Sequence, residues 1–69
     1  MQITGRNQLK GKVVKVVHGV TSSEVQLEIA EGMIVTGLIT KGSAESMNIQ
    51  VGDELVAIIK ATSVMFGKE

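Results

Sequence analysis

Residues 33–47 read MIVTGLITKGSAESM and predict a strand followed by a short helix. Residues 33–39 are mostly apolar and rich in β-branched types, a composition typical of a strand. Residues 42–47 are small and polar and predict one or two helical turns, with Ser43 standing where an N-cap residue is expected. A helix that interrupts a series of strands is the feature on which the fold prediction rests.

Strand patterns continue on both sides of this stretch. Residues 23–29 alternate cleanly between apolar and polar side chains, which predicts a strand with one buried face. After the helix, residues 51–53 predict a turn and residues 54–60 predict a fourth strand. A short fifth strand is predicted at residues 63–66.

The first strand, residues 10–17, has a less regular pattern. It is rich in Val and Lys, but Val13 is adjacent to Val14 and Val16 is adjacent to Val17. The strand is therefore either buried on both faces or interrupted by a bulge. Both alternatives suit a curved barrel strand.

The order of these elements is three strands, a short helix and two strands. It predicts an all-β fold with a small helical content: a five-stranded OB-fold-like barrel with the helix between strands 3 and 4. An SH3-like barrel is the main alternative, but the position of the helix favours the OB-fold. Because no linker, low-complexity run or tandem repeat appears, residues 1–69 are expected to form a single domain.

The composition indicates that such a domain needs help to be stable. The chain has 69 residues, of which 43% are hydrophobic, with Phe66 as the only aromatic residue. Small domains of this kind usually rely on disulfides, a metal or oligomerisation. There is no Cys and His18 is the only His, which excludes disulfides and thiolate or multi-histidine zinc sites. We therefore expect an obligate homo-oligomer.

The charge balance and the distribution of apolar residues exclude several classes of partner. Seven basic and seven acidic residues cancel, whereas nucleic-acid binders normally show a basic excess and stacking aromatics. No apolar run approaches the roughly 20 residues of a membrane span. Residues 1–3 do not begin a signal peptide, since no basic start is followed by an apolar run. The expected location is the cytoplasm, with neither nucleic acid nor membrane as partner.

Both ends of the chain carry a cation beside small and hydroxyl residues. Near the start, Thr4 supplies a hydroxyl, Gly5 allows close backbone approach and Arg6 offers a fork of donors. Near the end, Lys60 is followed by the backbone N–H groups of residues 61–63 and by the hydroxyls of Thr62 and Ser63. If the fold or a partner subunit brings these ends together, they form a pocket suited to a tetrahedral oxyanion. Taken singly, such cations are more often solvated surface residues.

The sequence contains none of the common motifs of catalytic residues. There is no P-loop, no GxSxG and no paired His and carboxylate at a suitable spacing. His18 beside residues 21–23 suggests a nucleophile and a base, but neighbours on one loop rarely point at each other. A non-catalytic protein is expected.

The terminal motifs resemble those of the molbindin (Mop) family of molybdate-binding proteins. RNQLKG at residues 6–11 is similar to that family's Arg-Asn-Gln-Leu-x-Gly motif, and KATSVM at residues 60–65 is similar to its C-terminal Lys motif. VQLEIA at residues 25–30 looks like the family's second strand. VGDEL at residues 51–55 looks like its turn into strand four. The resemblance covers essentially the whole chain.

This resemblance implies a function and an assembly. Single-domain members form hexamers, described as trimers of dimers. They bind molybdate or tungstate between subunits, where the N-terminal motif of one subunit meets the Lys motif of a neighbour, with no organic cofactor. Carried over, the oxyanion site consists of Thr4, Gly5, Arg6, Lys60 and the backbone N–H of Ala61. The implied role is intracellular storage and homeostasis of the oxyanion. The alternatives are an OB-fold module that binds nucleic acid or protein, and a purely structural oligomer.

The family also has a second class of site near its symmetry axes. The candidates here are His18, Gly19, Val20, Thr21 and Ser43.

Two departures from the family pattern concern the first site. Thr4-Gly5 replaces the usual Ser-Ala, which keeps the hydroxyl, and Ala61 replaces a frequent Ser, which removes one donor. A lost neutral hydrogen bond costs about 0.5–1.5 kcal/mol, so this change is expected to weaken the site without abolishing it.

Overall fold

The curled sheet of this protein is built on one long strand. The computed structural model describes residues 4–69, and the signal-peptide expectation for residues 1–3 lies outside them. The elements are β1 (Asn7–His18), β2 (Ser22–Ala30), β3 (Met33–Thr40), α1 (Lys41–Ser46), β4 (Glu54–Ile59) and a 3₁₀ turn (Ala61–Ser63). The strands are all antiparallel, in the order β3-β2-β1-β4.

Strand β1 is shared between two partners. Its first half pairs with β4 and its second half with β2, and Lys12 faces Glu54 on one side and Glu28 on the other. A strand that changes partner along its length must coil, which curls the sheet around one face. The predicted mostly-β, OB-fold-like architecture with one short helix after the third strand is therefore confirmed.

A bulge explains the irregular valine pattern of β1. The register with β2 shifts between Val13 and Lys15, so Val14 is the extra residue. Val13 is only 1% exposed, Val14 is 39% exposed and Val16 again packs against the core. The extra residue reverses the alternation, so that each adjacent pair of valines has one member inside and one outside. Of the two alternatives predicted, the bulge is confirmed.

The core lies on the concave face of the sheet. Val13, Val25, Leu27 and Ile49 form its buried centre. The clean alternation predicted for β2 is confirmed, because its odd-numbered residues from Ser23 to Leu27 are buried and the residues between them are half-exposed. The sheet and the segment that follows α1 thus share one small core.

The turn before β4 attaches that strand to β1. Gly52 has φ of 97°, a conformation that favours glycine, and its N–H donates to Val13 O at 2.8 Å. In return, the Val13 N–H donates to Asp53 O at 2.9 Å. The predicted turn at residues 51–53 is therefore confirmed, and it sets where β4 begins.

The predicted fifth strand is wrong for the single chain. Residues 61–63 form a 3₁₀ turn in which the Ser63 N–H donates to Lys60 O at 2.8 Å, and residues 64–69 have no regular structure. Strand geometry requires a neighbouring strand, and within residues 4–69 the sheet provides none for this segment. The structure thus has four strands instead of five.

The predicted cap of α1 is also wrong by three positions. Thr40 is the N-cap, because its Oγ1 accepts a hydrogen bond from the Ser43 N–H at 3.0 Å. The Ser43 hydroxyl in turn accepts from the Thr40 hydroxyl at 2.8 Å. The reason is that β3 runs directly into the helix without a loop, so its last residue takes the capping position.

Replacing Thr40 with alanine is expected to lower the free energy of unfolding by about 1 kcal/mol, because the Ser43 N–H loses its acceptor. Urea unfolding followed by circular dichroism measures the change. Thr40→Ser is the control, since it keeps the capping oxygen and should retain most of the stability. Equal stability of the alanine and wild-type proteins would contradict this assignment of the cap.

Candidate anion-binding site

The two terminal motifs meet at one end of the β1–β4 pair. Asn7 faces Ile59 in the last pair of this ladder, and Asn7 Nδ2 donates to Ile59 O at 3.1 Å across a separation of 52 residues. Arg6 immediately precedes one member of the pair and Lys60 immediately follows the other. In an antiparallel pair these are the next facing positions. The fold of one chain is therefore enough to bring the two cations together.

Both cations lie on the outer surface. Asn7 and Ile59 are half-buried, whereas Arg6 and Lys60, the residues next to them in the chain, are both exposed. Like charges at facing positions of neighbouring strands repel each other. An anion placed between them removes that repulsion and gains two charge-assisted contacts.

The turn after β4 adds backbone donors beside Lys60. Within this turn, the Ser63 N–H donates to Lys60 O and the Val64 N–H donates to Ala61 O at 3.4 Å. The N–H groups of Ala61 and Thr62 precede these internal bonds, and the first N–H groups of any helical turn have no partner within it. Because these two N–H groups lie directly after Lys60, they are suited to donating hydrogen bonds to an anion beside it.

The N-terminal side is held by the start of β1. Thr4 is exposed, and Gly5 is half-buried with its carbonyl oxygen accepting from Gln8 Nε2 at 3.3 Å. The first set of predicted residues is thus assembled at one end of the sheet: Thr4, Gly5, Arg6, Lys60, Ala61 and Thr62. Sequence reasoning missed the roles of Asn7 and Gln8, which fix the two segments, although the RNQL motif contains both residues.

The second set lies at the opposite end of β1. His18 ends that strand, Gly19–Thr21 form the hairpin to β2, and the Lys41 N–H donates to Thr21 O at 3.0 Å. This bond brings the hairpin beside the start of α1, which carries Ser43. The Gly19 N–H already donates to Ser22 O at 2.7 Å, and the Ser43 N–H and hydroxyl are engaged with Thr40.

Fewer donors are therefore available in this second set than in the first. Val20 contributes an exposed apolar side chain, with 92% of its surface accessible. The second anion site stays a prediction.

The expectation that His18 and the neighbouring hydroxyls do not meet was wrong for Ser23. His18 Nδ1 and Ser23 Oγ are 2.7 Å apart, because the two residues face each other across β1 and β2. Ser23 is fully buried, with 0% of its surface exposed. A hydroxyl without access to substrate acts as a structural partner of the imidazole and not as a nucleophile.

The described part of the chain contains neither a metal-binding cluster nor a membrane-spanning helix. Across residues 4–69, no group of three or more His, Cys, Asp or Glu side chains is arranged to hold a metal ion. In that part of the chain, no helix has the length and apolar character needed to cross a bilayer.

Known proteins share both this fold and this sequence. The family model for the TOBE domain matches residues 3–66. Molybdenum-pterin-binding protein 3 of Clostridium pasteurianum is 52% identical over 65 residues, which cover 94% of this chain and 96% of that protein. The apo structure of MopII from Clostridium pasteurianum aligns with a TM-score of 0.90 and 46% identity, covering 97% of this chain and 100% of that one.

A molybdate-bound structure is also similar. The cytoplasmic molybdate-binding protein ModG, crystallised with molybdate, aligns with a TM-score of 0.89 and 29% identity. The alignment covers 94% of this chain and 46% of the ModG chain. Together with the family match and the terminal motifs, these likenesses show that the chain belongs to the TOBE-domain family, among its molbindin (Mop) proteins.

Proposed function

We propose that this protein binds molybdate, as the free dianion, where Arg6 and Lys60 lie side by side. The observation that carries the proposal is the β1–β4 register, which ends with Asn7 facing Ile59 and so places the two cations at neighbouring positions. Two positive charges match the charge of a tetrahedral dianion, and its four oxygens act only as hydrogen-bond acceptors.

Each part of the site has a distinct role in this proposal. The Arg6 guanidinium binds two oxygens at once, while the Lys60 ammonium supplies a point charge. Around these charges stand neutral donors, namely the Thr4 hydroxyl, the Gly5 backbone, the Ala61 and Thr62 N–H groups and the Thr62 hydroxyl. A site made largely of such donors selects an oxyanion by its geometry.

The names of the relatives are compatible with two ligands. One is a molybdenum oxyanion, and the other is a complex of molybdenum with a pterin. A pterin ring needs a stacking surface, and Phe66 is the only aromatic side chain of the sequence. Phe66 lies beyond the 3₁₀ turn and is 94% exposed. The donors around Arg6 suit a small anion better than a ring, so the bare oxyanion is favoured.

Assembly completes the proposed site. Arg6 and Lys60 are exposed on one side, so the donors of one chain cover only part of an anion placed between them. A second copy that covers the site supplies the remaining contacts, which fits a hexamer built as a trimer of dimers with anions at its interfaces. The proposed role is storage of molybdate, and of tungstate, in the cytoplasm without an organic cofactor.

Arg6→Ala and Lys60→Ala are each expected to weaken molybdate binding by about tenfold to a hundredfold, because hydrogen bonds to charged groups contribute about 1.5–3 kcal/mol. Isothermal titration calorimetry of the assembled protein with molybdate measures both. Lys68→Ala is the matched control, since this exposed Lys lies outside the site and should leave affinity unchanged.

Tungstate should compete with molybdate at similar concentrations, and sulfate should bind more weakly because it is smaller. Absence of any heat from molybdate with the wild-type protein would refute the proposal. So would equal losses of affinity in the Arg6 and Lys68 variants.

A further inference from the structure

One long-range hydrogen bond joins the two segments that carry the proposed anion site. Asn7 Nδ2 donates to Ile59 O at 3.1 Å, and both residues are half-buried. Asn7 directly follows Arg6, and Ile59 directly precedes Lys60. The bond lies at the last pair of the β1–β4 ladder, and paired strands separate most easily at their ends. A side-chain bond at this position therefore has a strong influence on the spacing of the two segments.

The backbone around Lys60 is fixed on both sides. The carbonyl of the preceding peptide group, Ile59 O, accepts from Asn7, and the carbonyl of the following group, Lys60 O, accepts from the Ser63 N–H at 2.8 Å. Lys60 itself is extended, with φ −62° and ψ 138°. The N–H groups of the 3₁₀ turn start from this fixed unit, so the backbone sets their direction.

The N-terminal side of the site is held by a weaker bond. Gly5 O accepts from Gln8 Nε2 at 3.3 Å, which fixes the peptide group between Gly5 and Arg6. This bond is exposed and spans only three residues, whereas the Asn7 bond is half-buried and spans 52. Asn7 is thus the side chain that sets the distance between the donors before β1 and the donors after β4.

A fixed distance between these donors is important for selection among oxyanions. Molybdate and sulfate are both tetrahedral dianions with four acceptor oxygens, so charge alone does not distinguish them. Backbone N–H groups cannot rotate towards a smaller ion as the end of a Lys side chain can. A binding site keeps its geometry only when the groups around it hold its donors in place.

We propose that Asn7 is a positioning residue that gives the site its preference for molybdate over the smaller sulfate. Its side chain is bonded to Ile59 O and keeps the two segments at the distance that suits the larger ion. This inference rests on the proposed function and goes beyond it, because it assigns the size preference to a residue that does not bind the anion. Without the bond, the two segments are free to close around a smaller ion, and the preference is reduced.

The test replaces the amide of Asn7 with an apolar group. Asn7→Leu keeps the branched shape but has no side-chain N–H, and Asn7→Ala repeats the test without added apolar surface. Gln26→Met is the matched control, because Gln26 Nε2 donates to Glu24 Oε2 at 3.2 Å on β2, in the middle of the sheet. Calorimetric titration of the assembled proteins with molybdate, alone and in excess sulfate, gives both affinities. Circular dichroism establishes that each variant is folded during the titration.

We expect the Asn7 variants to lose about tenfold or more in molybdate affinity, the scale observed when an outer group that orients metal ligands is removed. Sulfate affinity should change less, so the ratio of the two affinities falls. A residue that only supported the fold would lower both affinities together and leave this ratio unchanged. Gln26→Met should keep the wild-type affinities and the wild-type ratio.

Three results would overturn the inference while the proposed function stands. The first is a wild-type preference for molybdate in both Asn7 variants. The second is a loss of affinity by the same factor for both ions, and the third is an equal loss of preference in Gln26→Met. A wild-type protein that binds no molybdate would refute the proposed function and this inference with it, so the two kinds of failure are distinguishable.

Discussion

Gly11→Ala is expected to lower the free energy of unfolding by about 1–3 kcal/mol or more, because the added methyl group has no space between β1 and β2. A Cβ at this position would lie 2.5 Å from Glu28 O and 2.9 Å from Leu27 Cγ, distances that real Cβ atoms do not tolerate. Glu28 O is a backbone atom, so it cannot rotate away as the end of a side chain would. Relief requires β2 to move away from β1.

The position of Gly11 explains why the space is so small. It lies in β1 opposite Leu55, one residue before Lys12, where the strand pairs with β4 and β2 at once. The coiling of the sheet brings the β2 backbone over Gly11 at this point. Overpacking costs about 1–3 kcal/mol and occasionally more. A domain of this size has only about 3–10 kcal/mol in total, at 0.05–0.15 kcal/mol per residue.

Urea unfolding followed by circular dichroism checks this prediction, with Gly42→Ala as the matched control. Gly42 lies in α1, and an added Cβ there meets no heavy atom within 4 Å. This control should be stabilised by about 0.5–1 kcal/mol, because alanine favours the helix over glycine. If the two variants unfolded at the same urea concentration, the close approach of β2 to β1 would be wrong.

Leu27→Ala is expected to lower the free energy of unfolding by about 2–5 kcal/mol. Leu27 is 4% exposed and packs in the buried cluster with Val13, Val25 and Ile49. Its truncation removes apolar contacts and leaves a cavity in a core that has few other buried side chains. In a domain with so small a total stability, such a loss leaves the variant close to unfolding at room temperature.

Leu38→Ala is the control for Leu27→Ala. Thermal and urea unfolding measure the stability of both variants. Leu38 lies on neighbouring strand β3 with 72% of its surface exposed, so the same truncation leaves no internal cavity. Its effect should lie within about 0.5 kcal/mol of zero. A loss at Leu38 as large as that at Leu27 would mean that the outer face of β3 is covered in the native particle.

The strands were predictable because a strand with one buried face alternates apolar and polar residues along the sequence. The predicted second strand, residues 23–29, falls inside the observed β2 (Ser22–Ala30), and β3 extends only one residue beyond its predicted end. The helix cap was less predictable, because Thr40 and Ser43 both suit a cap. Which one takes that role depends on how β3 enters the helix.

The candidate site was predictable in its chemistry but not in its geometry. Arg6 and Lys60 were identified by residue type and by the molbindin resemblance of the motifs around them. Nothing local shows whether one chain or two bring them together, since the motifs lie at opposite ends of the sequence. The β1–β4 register answers this point for the single chain.

By itself the sequence determined the location of the four strands that the structure shows, that the core is small and aliphatic, and which residues can offer positive charge and N–H groups to an anion. These properties follow from side-chain type and short-range periodicity. Only the tertiary structure decided that Val14 is the bulged residue, that Arg6 lies beside Lys60, and that residues 63–66 leave the sheet. Each of these depends on pairing between distant segments, where the register of one strand on another, and not local preference, sets which groups meet.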